Sequence, residues 1–103
     1  MALSRKNWTL NSYTNDQWTD FVVEECTIAS MVICNTSEDE AHVSMRLADA
    51  SNNSLATIMS NKPVTANEAI TVDIRSLNVI EGQKLQVQAN VAGVEITASG
   101  VIG

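Results

Sequence analysis

The sequence has little of most residue types on which enzyme chemistry depends. Its 103 residues include one histidine, two cysteines and four aromatic residues. Histidine is the usual general base and a common metal ligand, so the single copy, His42, argues against a metal centre or a catalytic triad. The phosphate-binding patterns GxGxxG and P-loop are absent, as is the GxSxG motif. We therefore expect no catalytic residues, no metal site and no cofactor.

The two cysteines do not provide a disulfide framework. If Cys26 and Cys34 lie on one strand, a rise of ~3.3 Å per residue separates them by about 26 Å. A disulfide needs Cα atoms within ~7 Å. We expect buried free thiols. A hairpin could bring Cys34 close to His42, but Cys34 ends an apolar run, which favours a packing role over that of a nucleophile.

Positive charge is also scarce. Six Lys and Arg against twelve Asp and Glu give a net charge of −6. Phosphate backbones and anionic membranes repel such a surface, so we expect neither nucleic acid nor membrane as a partner. No apolar run approaches the roughly 20 residues of a membrane-spanning helix, and the basic N-terminus lacks the apolar stretch of a secretory signal. We expect a protein that stays in the cytoplasm where it is made.

The densest acidic run is Glu38-Asp39-Glu40. Calcium prefers clustered oxygen ligands. However, three consecutive acids in an open turn point in different directions, and the calcium-loop pattern with its central glycine is absent. We interpret the run as a solvated turn.

Hydrophobic residues, in contrast, make up 45% of the chain, and from residue 18 onward they recur with a period of two. Apolar and polar residues alternate over 43–47, 70–74, 85–91 and 94–98, as expected for half-buried strands. Gly82 is free to take a positive φ in the turn after residue 79. We predict about seven short strands in an all-β, antiparallel β-sandwich of Ig-like or jelly-roll-like topology.

Three segments allow more specific predictions. Residues 27–34 are apolar on both faces, which indicates a central strand covered on both sides. Asn61-Lys62-Pro63 should interrupt the strand pattern, because proline lacks the ladder donor. Residues 85–91 and 94–98 predict a hairpin closed by Ala92-Gly93, with the last strand running to the C-terminus.

Residues 1–17 show no sustained period, so we interpret them as an N-terminal arm before a sandwich domain of residues 18–103. Trp8, Tyr13 and Trp18 are three of the four aromatic residues. Aromatic side chains often anchor protein interfaces, so these three are the candidate interface residues. They need a surface to pack on, either the body of the domain or a neighbour. We expect residues 1–20 to form the main contact with a neighbouring subunit.

Three stretches share one arrangement of strands and turns: TIASMVICNTSEDEAHVSMRLAD, NEAITVDIRSLNVIEGQKLQV and VQANVAGVEITASGVI. In this arrangement the chain from residue 21 onward resembles a family of small virion proteins of tailed bacteriophages. The resemblance implies a small β-sandwich repeated around a symmetry axis in a capsid, neck or tail. It implies no catalytic residues, and its partners would be other virion proteins and copies of the chain itself.

We therefore expect a non-enzymatic structural protein of a tailed-phage virion, assembled in the bacterial host cytoplasm. It would be a capsid decoration or cement protein, or a neck or tail subunit, in a homo-oligomer or multi-copy assembly. The alternative is a stand-alone Ig-like binding module that recognises a carbohydrate or a surface protein. That alternative predicts a monomer with aromatic side chains exposed in loops. An enzyme ranks third, because the only histidine is expected to be solvated.

Overall fold

A computed structural model describes residues 3–72 and 76–102 of the chain. These residues form nine strands and no helix, which confirms the expected all-β sandwich with more strands than predicted. The strands are β1 Ser4–Leu10, β2 Thr19–Val22, β3 Cys26–Asn35, β4 Ala41–Asp49, β5 Ser54–Val64, β6 Ala69–Val72, β7 Leu77–Val79, β8 Gln83–Ala89 and β9 Val94–Ile102. Ile74, at the end of a predicted alternating stretch, lies outside the described residues.

The strands form two antiparallel sheets with a nested order. The first sheet is β1-β9-β3-β6, with β7 also paired to β3, and the second is β2-β8-β4-β5. The pairs β1·β9, β2·β8, β3·β6 and β4·β5 enclose one another, as if one long hairpin had been wrapped into two sheets. This is the order of a jelly roll. It decides between the two topologies that the alternating pattern left open.

The predicted hairpin of the last two strands is wrong. β8 belongs to the second sheet and β9 to the first, so residues 90–93 cross from one sheet to the other. Gly93 turns the chain with φ +96°, and its carbonyl accepts a hydrogen bond from the Thr36 amide at 2.9 Å. The crossing is thereby attached to the β3–β4 turn. Alternation correctly located both strands, but it does not specify their partners.

Two predictions about strand context also need correction. β3 is central in the first sheet, but its outer face is open, since Val32 is 42% exposed.

β5 continues through Pro63, which lies opposite His42. An edge strand tolerates a residue without an N–H on its open side, and β5 is the edge of the second sheet. Asn61, at φ +47°, lies beside a register shift. The chain therefore bulges at this point and does not leave the sheet.

The interpretation of residues 1–17 as an arm is wrong for residues 4–10. These residues are β1, which pairs with β9 along its whole length. Trp8 lies opposite Ala98 and is only 8% exposed, as part of the core cluster. The expected need for a packing surface is met by the body of the same domain.

The core between the sheets is mainly aliphatic. Its fully buried side chains come from both sheets and include Ile28 and Met31 on β3 of the first sheet and Met45 on β4 and Leu85 on β8 of the second. Unbranched and β-branched aliphatic side chains fill the ~10 Å gap between two packed sheets. The sandwich has a radius of gyration of 13.2 Å, close to the roughly 13 Å expected for a compact chain of this length.

Candidate functional site

Trp8 and Tyr13, two of the predicted interface residues, are held by their own chain. The Trp8 indole N–H donates to Glu24 Oε1 at 2.9 Å, and Lys6 pairs with the same carboxylate. These bonds, first that from Lys6, lower the pKa of Glu24. Because its ring lies in the core, Trp8 offers a neighbour very little surface.

Tyr13 fastens two loops together. Its hydroxyl donates to the Val91 carbonyl and accepts from the Val94 amide at 3.0 Å. Partial burial raises the pKa of Tyr13. The β1–β2 loop is thus tied to the β8–β9 crossing, which indicates a structural role for this side chain.

Trp18, the third candidate, lies in a different setting. It is partly exposed, and the guanidinium carbon of Arg46 lies 4.3 Å from its ring centroid. The two side chains line an open groove of about 520 Å³ on the outer face of the second sheet, together with residues of β2, β8 and the β4–β5 turn. We call this the Trp18 groove. Stacking of a guanidinium on an indole is a favourable cation–π contact.

A buried glutamine organises this groove. Gln86 is 2% exposed, and its side-chain oxygen accepts from Arg46 Nε at 2.8 Å. Its amide nitrogen donates to Asp20 Oδ1 at 2.9 Å and to Asn52 Oδ1 at 3.0 Å. All three neighbours are therefore fixed by one side chain that solvent does not reach.

Charge in the groove is mixed. Lys84 lies 3.2 Å from Asp20, and its side chain is largely covered. The hydrogen bond from Gln86, followed by that from Lys84, lowers the pKa of Asp20. Arg46 also donates from Nη2 to the Asn52 carbonyl at 3.2 Å. Within the described residues, no carboxylate lies within salt-bridge distance of Arg46.

Sequence reasoning predicted only Trp18 among the residues of this groove. Asp20, Arg46, Lys84 and Gln86 are outward-facing members of three separate strands. The sequence shows that such positions are polar, but their meeting depends on β8 lying between β2 and β4. No local signal in the sequence reports that order.

The residues considered for catalysis do not form a cluster. His42 is exposed, as expected, and its Nε2 lies 3.3 Å from Glu40 Oε1. Cys26 and Cys34 both lie on β3 and are free; Cys26 is buried, whereas Cys34 is only partly so. Burial raises the pKa of the Cys26 thiol. Among the described residues, no three His, Cys, Asp or Glu side chains form a group that could hold a metal ion.

The two ends of the sandwich differ in character. One, the Tyr13 end, carries the loops 11–18, 36–40, 65–68 and 90–93. Half of the twelve carboxylates lie in or beside these loops, namely Asp16, Glu38, Asp39, Glu40, Glu68 and Glu95. The opposite end, the Leu3 end, carries Leu3 and the turns 23–25, 50–53 and 80–82.

Exposed apolar side chains gather at the Leu3 end. Among the described residues, five large hydrophobic side chains are exposed. Four of them lie at or next to this end and are 50–71% exposed, namely Leu3, Val23, Leu55 and Ile80. Leu3 and Ile80 line one shallow depression of about 220 Å³ together with Cys26 and Val101. The fifth, Val32, lies on the outer face of the first sheet.

Comparisons with known proteins assign no family, since no protein-family model and no curated protein matches the chain. In the described part of the chain, no helix has the length and apolar character to span a membrane.

Proposed function

We propose that this chain is a non-enzymatic structural protein of a tailed-phage particle, a capsid decoration or neck or tail subunit. It packs on its neighbour in the particle through the Leu3 end. The observation that carries the proposal is the uneven surface: four exposed apolar side chains at one end and six carboxylates at the other. Leu3 and Ile80 line the same depression, and exposed apolar surface that is grouped in this way marks interaction sites.

The charge distribution supports a single orientation. Carboxylates at the Tyr13 end repel one another between copies and favour contact with water. The Leu3 end carries fewer described carboxylates, Glu24, Glu25, Asp49 and Glu81, and Lys6 pairs with one of them, Glu24. A subunit that buries its Leu3 end leaves the acidic end facing outward, which suits a protein on the surface of a particle.

Quantitative mass spectrometry of purified particles of the phage that encodes the chain tests this proposal. Copy number is normalised to the major capsid protein. Hundreds of copies indicate capsid decoration, and six to a few dozen indicate a neck or tail subunit. A particle that lacks the chain overturns the proposal.

A pair of matched variants tests the surface. Leu3→Ser combined with Ile80→Ser removes two apolar side chains from the Leu3 end, and we expect reduced incorporation into particles. Val32→Ser removes an apolar side chain that is 42% exposed, against 71% for Leu3 and 53% for Ile80, from another face and should incorporate normally. Circular dichroism of the purified variants confirms that both are folded. Equal incorporation of the two variants contradicts the role of the Leu3 end.

The Trp18 groove favours a second candidate function, a binding module for a carbohydrate or a surface protein. The module needs an accessible aromatic side chain among polar groups, and Trp18 meets this requirement. Size-exclusion chromatography coupled to light scattering, together with the particle analysis, separates the two. A monomer that is absent from particles supports the module.

A further inference from the structure

We infer that the Trp18 groove binds an acidic saccharide, a sugar that carries a carboxylate beside its hydroxyl groups. This inference rests on the groove alone and does not depend on the proposed role in a particle. Nor does the packing of the Leu3 end require the groove.

The groove is organised before a ligand arrives. Gln86 is almost fully buried and holds Arg46, Asp20 and Asn52 through hydrogen bonds of 2.8 to 3.0 Å. Asn52 adopts φ +67°, a left-handed conformation that its side-chain and main-chain bonds in the network help to hold. Binding to side chains that are already ordered costs less conformational entropy.

The hydrogen-bonding capacity left over suits hydroxyl groups. The Asn52 side chain uses its oxygen for Gln86, and in the described residues no bond occupies its amide N–H groups. Each Asp20 oxygen accepts from a neighbour but keeps a further acceptor site. A hydroxyl donates one hydrogen bond and accepts others, so adjacent hydroxyls can bond to Asp20 and Asn52 at once.

The charge of the groove calls for an anion. Arg46 and Lys84 are two of the six Lys and Arg residues in a chain of net charge −6, and they meet in one groove with the single carboxylate Asp20. Lys84 pairs with Asp20, which leaves the Arg46 charge without a carboxylate partner in the described structure. Guanidinium and carboxylate match in a planar, charge-assisted pair.

The size of the groove and its indole point to a sugar and not to a small ion. A volume of about 520 Å³ falls within the ~300–1,000 Å³ range of small-molecule sites. Arg46 covers one face of the Trp18 ring, and the exposed remainder of the indole offers apolar surface against which the C–H groups of a sugar ring can pack. The assembled site thus holds an apolar contact, a hydroxyl-binding pair and a cation.

Nuclear magnetic resonance of the ¹⁵N-labelled full chain tests the inference with D-glucuronic acid as the probe. The chain has two tryptophans, so the indole N–H signal of Trp18 reports on the groove. The signal of Trp8, buried in the core, is an internal reference. We expect glucuronate to shift the Trp18 signal saturably at millimolar concentrations and to leave the Trp8 signal in place.

Two control ligands separate the parts of the site. Glucose has the hydroxyls without the carboxylate, and acetate has the carboxylate without the hydroxyls. We expect each to bind at least about tenfold more weakly than glucuronate, a difference of ~1.4 kcal/mol. Glucose that binds equally well overturns the need for an acidic sugar, and acetate that binds equally well reduces the site to a general anion site. No saturable shift with glucuronate overturns the inference altogether.

Variants locate the binding. Arg46→Gln should abolish the glucuronate shift, whereas Lys62→Gln, which removes the same charge from the exposed edge strand β5, should retain it. An unchanged Trp8 signal shows that a variant is folded. If Arg46→Gln does not fold, Lys84→Gln is the second variant: it leaves the Asp20 charge without its cation and so should repel the glucuronate carboxylate. A wild-type affinity in that folded variant contradicts the assignment.

Discussion

Asn35 illustrates at the scale of one residue how a polar side chain is accommodated in this core. It ends β3 fully buried. Its amide donates to the carbonyls of Asp39 at 2.8 Å and Val64 at 3.0 Å, and its oxygen accepts from the Ser37 amide at 3.0 Å and hydroxyl at 2.7 Å. The residue thus joins the β3–β4 turn to the end of β5, which belongs to the other sheet.

Replacing Asn35 with alanine leaves these partners without their bonds. A buried polar group that loses its partner costs about 1–3 kcal/mol. We expect Asn35→Ala to lower the free energy of unfolding, measured by urea titration, by an amount in that range. Asn7→Ala, at an exposed position with one side-chain bond to Ser99, should change it by less than about 0.5 kcal/mol. Equal effects of the two substitutions would show that the Asn35 network is not stabilising.

Trp8 shows how far a single aromatic residue changes the interpretation of the N-terminus. Its ring is buried between the sheets, so Trp8→Ala removes core volume. Truncation of a buried tryptophan costs about 3–5 kcal/mol. We expect a loss of that order in urea unfolding. The neighbouring exposed Thr9→Ala should cost less than about 1 kcal/mol. A small effect of Trp8→Ala would restore the interpretation of this segment as an arm.

At the scale of elements, the first sheet depends on a close approach of β3 to β9. A β-bulge between Ile28 and Ser30 brings the β3 backbone against Gly100. A Cβ atom on Gly100 would lie 2.0 Å from the Thr27 carbonyl oxygen and 2.9 Å from the Ile28 Cα. Both neighbours are backbone atoms, which cannot move aside as a side chain would.

Gly100→Ala should therefore separate the strands at the bulge. Overpacking costs typically about 1–3 kcal/mol, and we expect at least that loss of stability in thermal or urea unfolding. Ser99→Ala, one residue earlier in β9, adds no atom and should cost less than about 0.5 kcal/mol. Unchanged stability of Gly100→Ala would mean that the bulge relaxes without a penalty.

The role of the N-terminal strands in the sheets explains why deleting the first 20 residues is a poor test of an interface. The deletion removes β1 and the first half of β2, an edge strand of each sheet, and takes Trp8 out of the core. A truncated chain that fails to enter a particle would then report on folding and not on contact. Substitutions at exposed positions of the Leu3 end avoid this confusion.

At the scale of the whole molecule, carboxylates held by hydrogen bonds link stability to pH. Bonds from the Gln86 side chain lower the pKa of Asp20, and those from the Asn53 backbone, foremost among several, lower the pKa of Asp49. Glu24 behaves in the same way. The native state consequently binds fewer protons than the unfolded chain in mildly acidic solution.

The direction in which stability changes with pH follows from this difference in proton binding. The stabilisation that these carboxylates give to the folded state is fully present above their pKa values in the unfolded chain, near 4. It is lost as the pH falls through their lower pKa values in the folded state. We expect the urea midpoint to decrease in that window. Asp20→Asn should weaken the decrease, because a group with a lowered pKa is removed.

Glu95→Gln is the matched control for the pH experiment. It removes one negative charge from the exposed Tyr13 end, so it reports how far relief of repulsion among carboxylates affects the same titration. We expect its pH profile to keep the wild-type slope. An identical slope for Asp20→Asn and the wild type would contradict the link through Asp20.

The sequence by itself determined where most strands lie and which side chains face the core. A period of two marks a strand with one buried face, and this correctly indicated β4, β6, β8 and β9. The expected turn conformation of Gly82 is confirmed at φ +82°. These features depend on residues close in the sequence, so local patterns suffice to predict them.

Only the tertiary structure decided which strands are neighbours. Every strand presents the same backbone donors and acceptors, so alternation does not identify a partner. The order β2-β8-β4 places β8 in the second sheet, away from its expected hairpin partner β9. The same order brings Asp20, Gln86 and Arg46 together. The burial of Trp8 also depends on long-range pairing, because it requires β1 to pair with β9 at the edge of the first sheet. The groove and the two unlike ends are consequences of this long-range pairing.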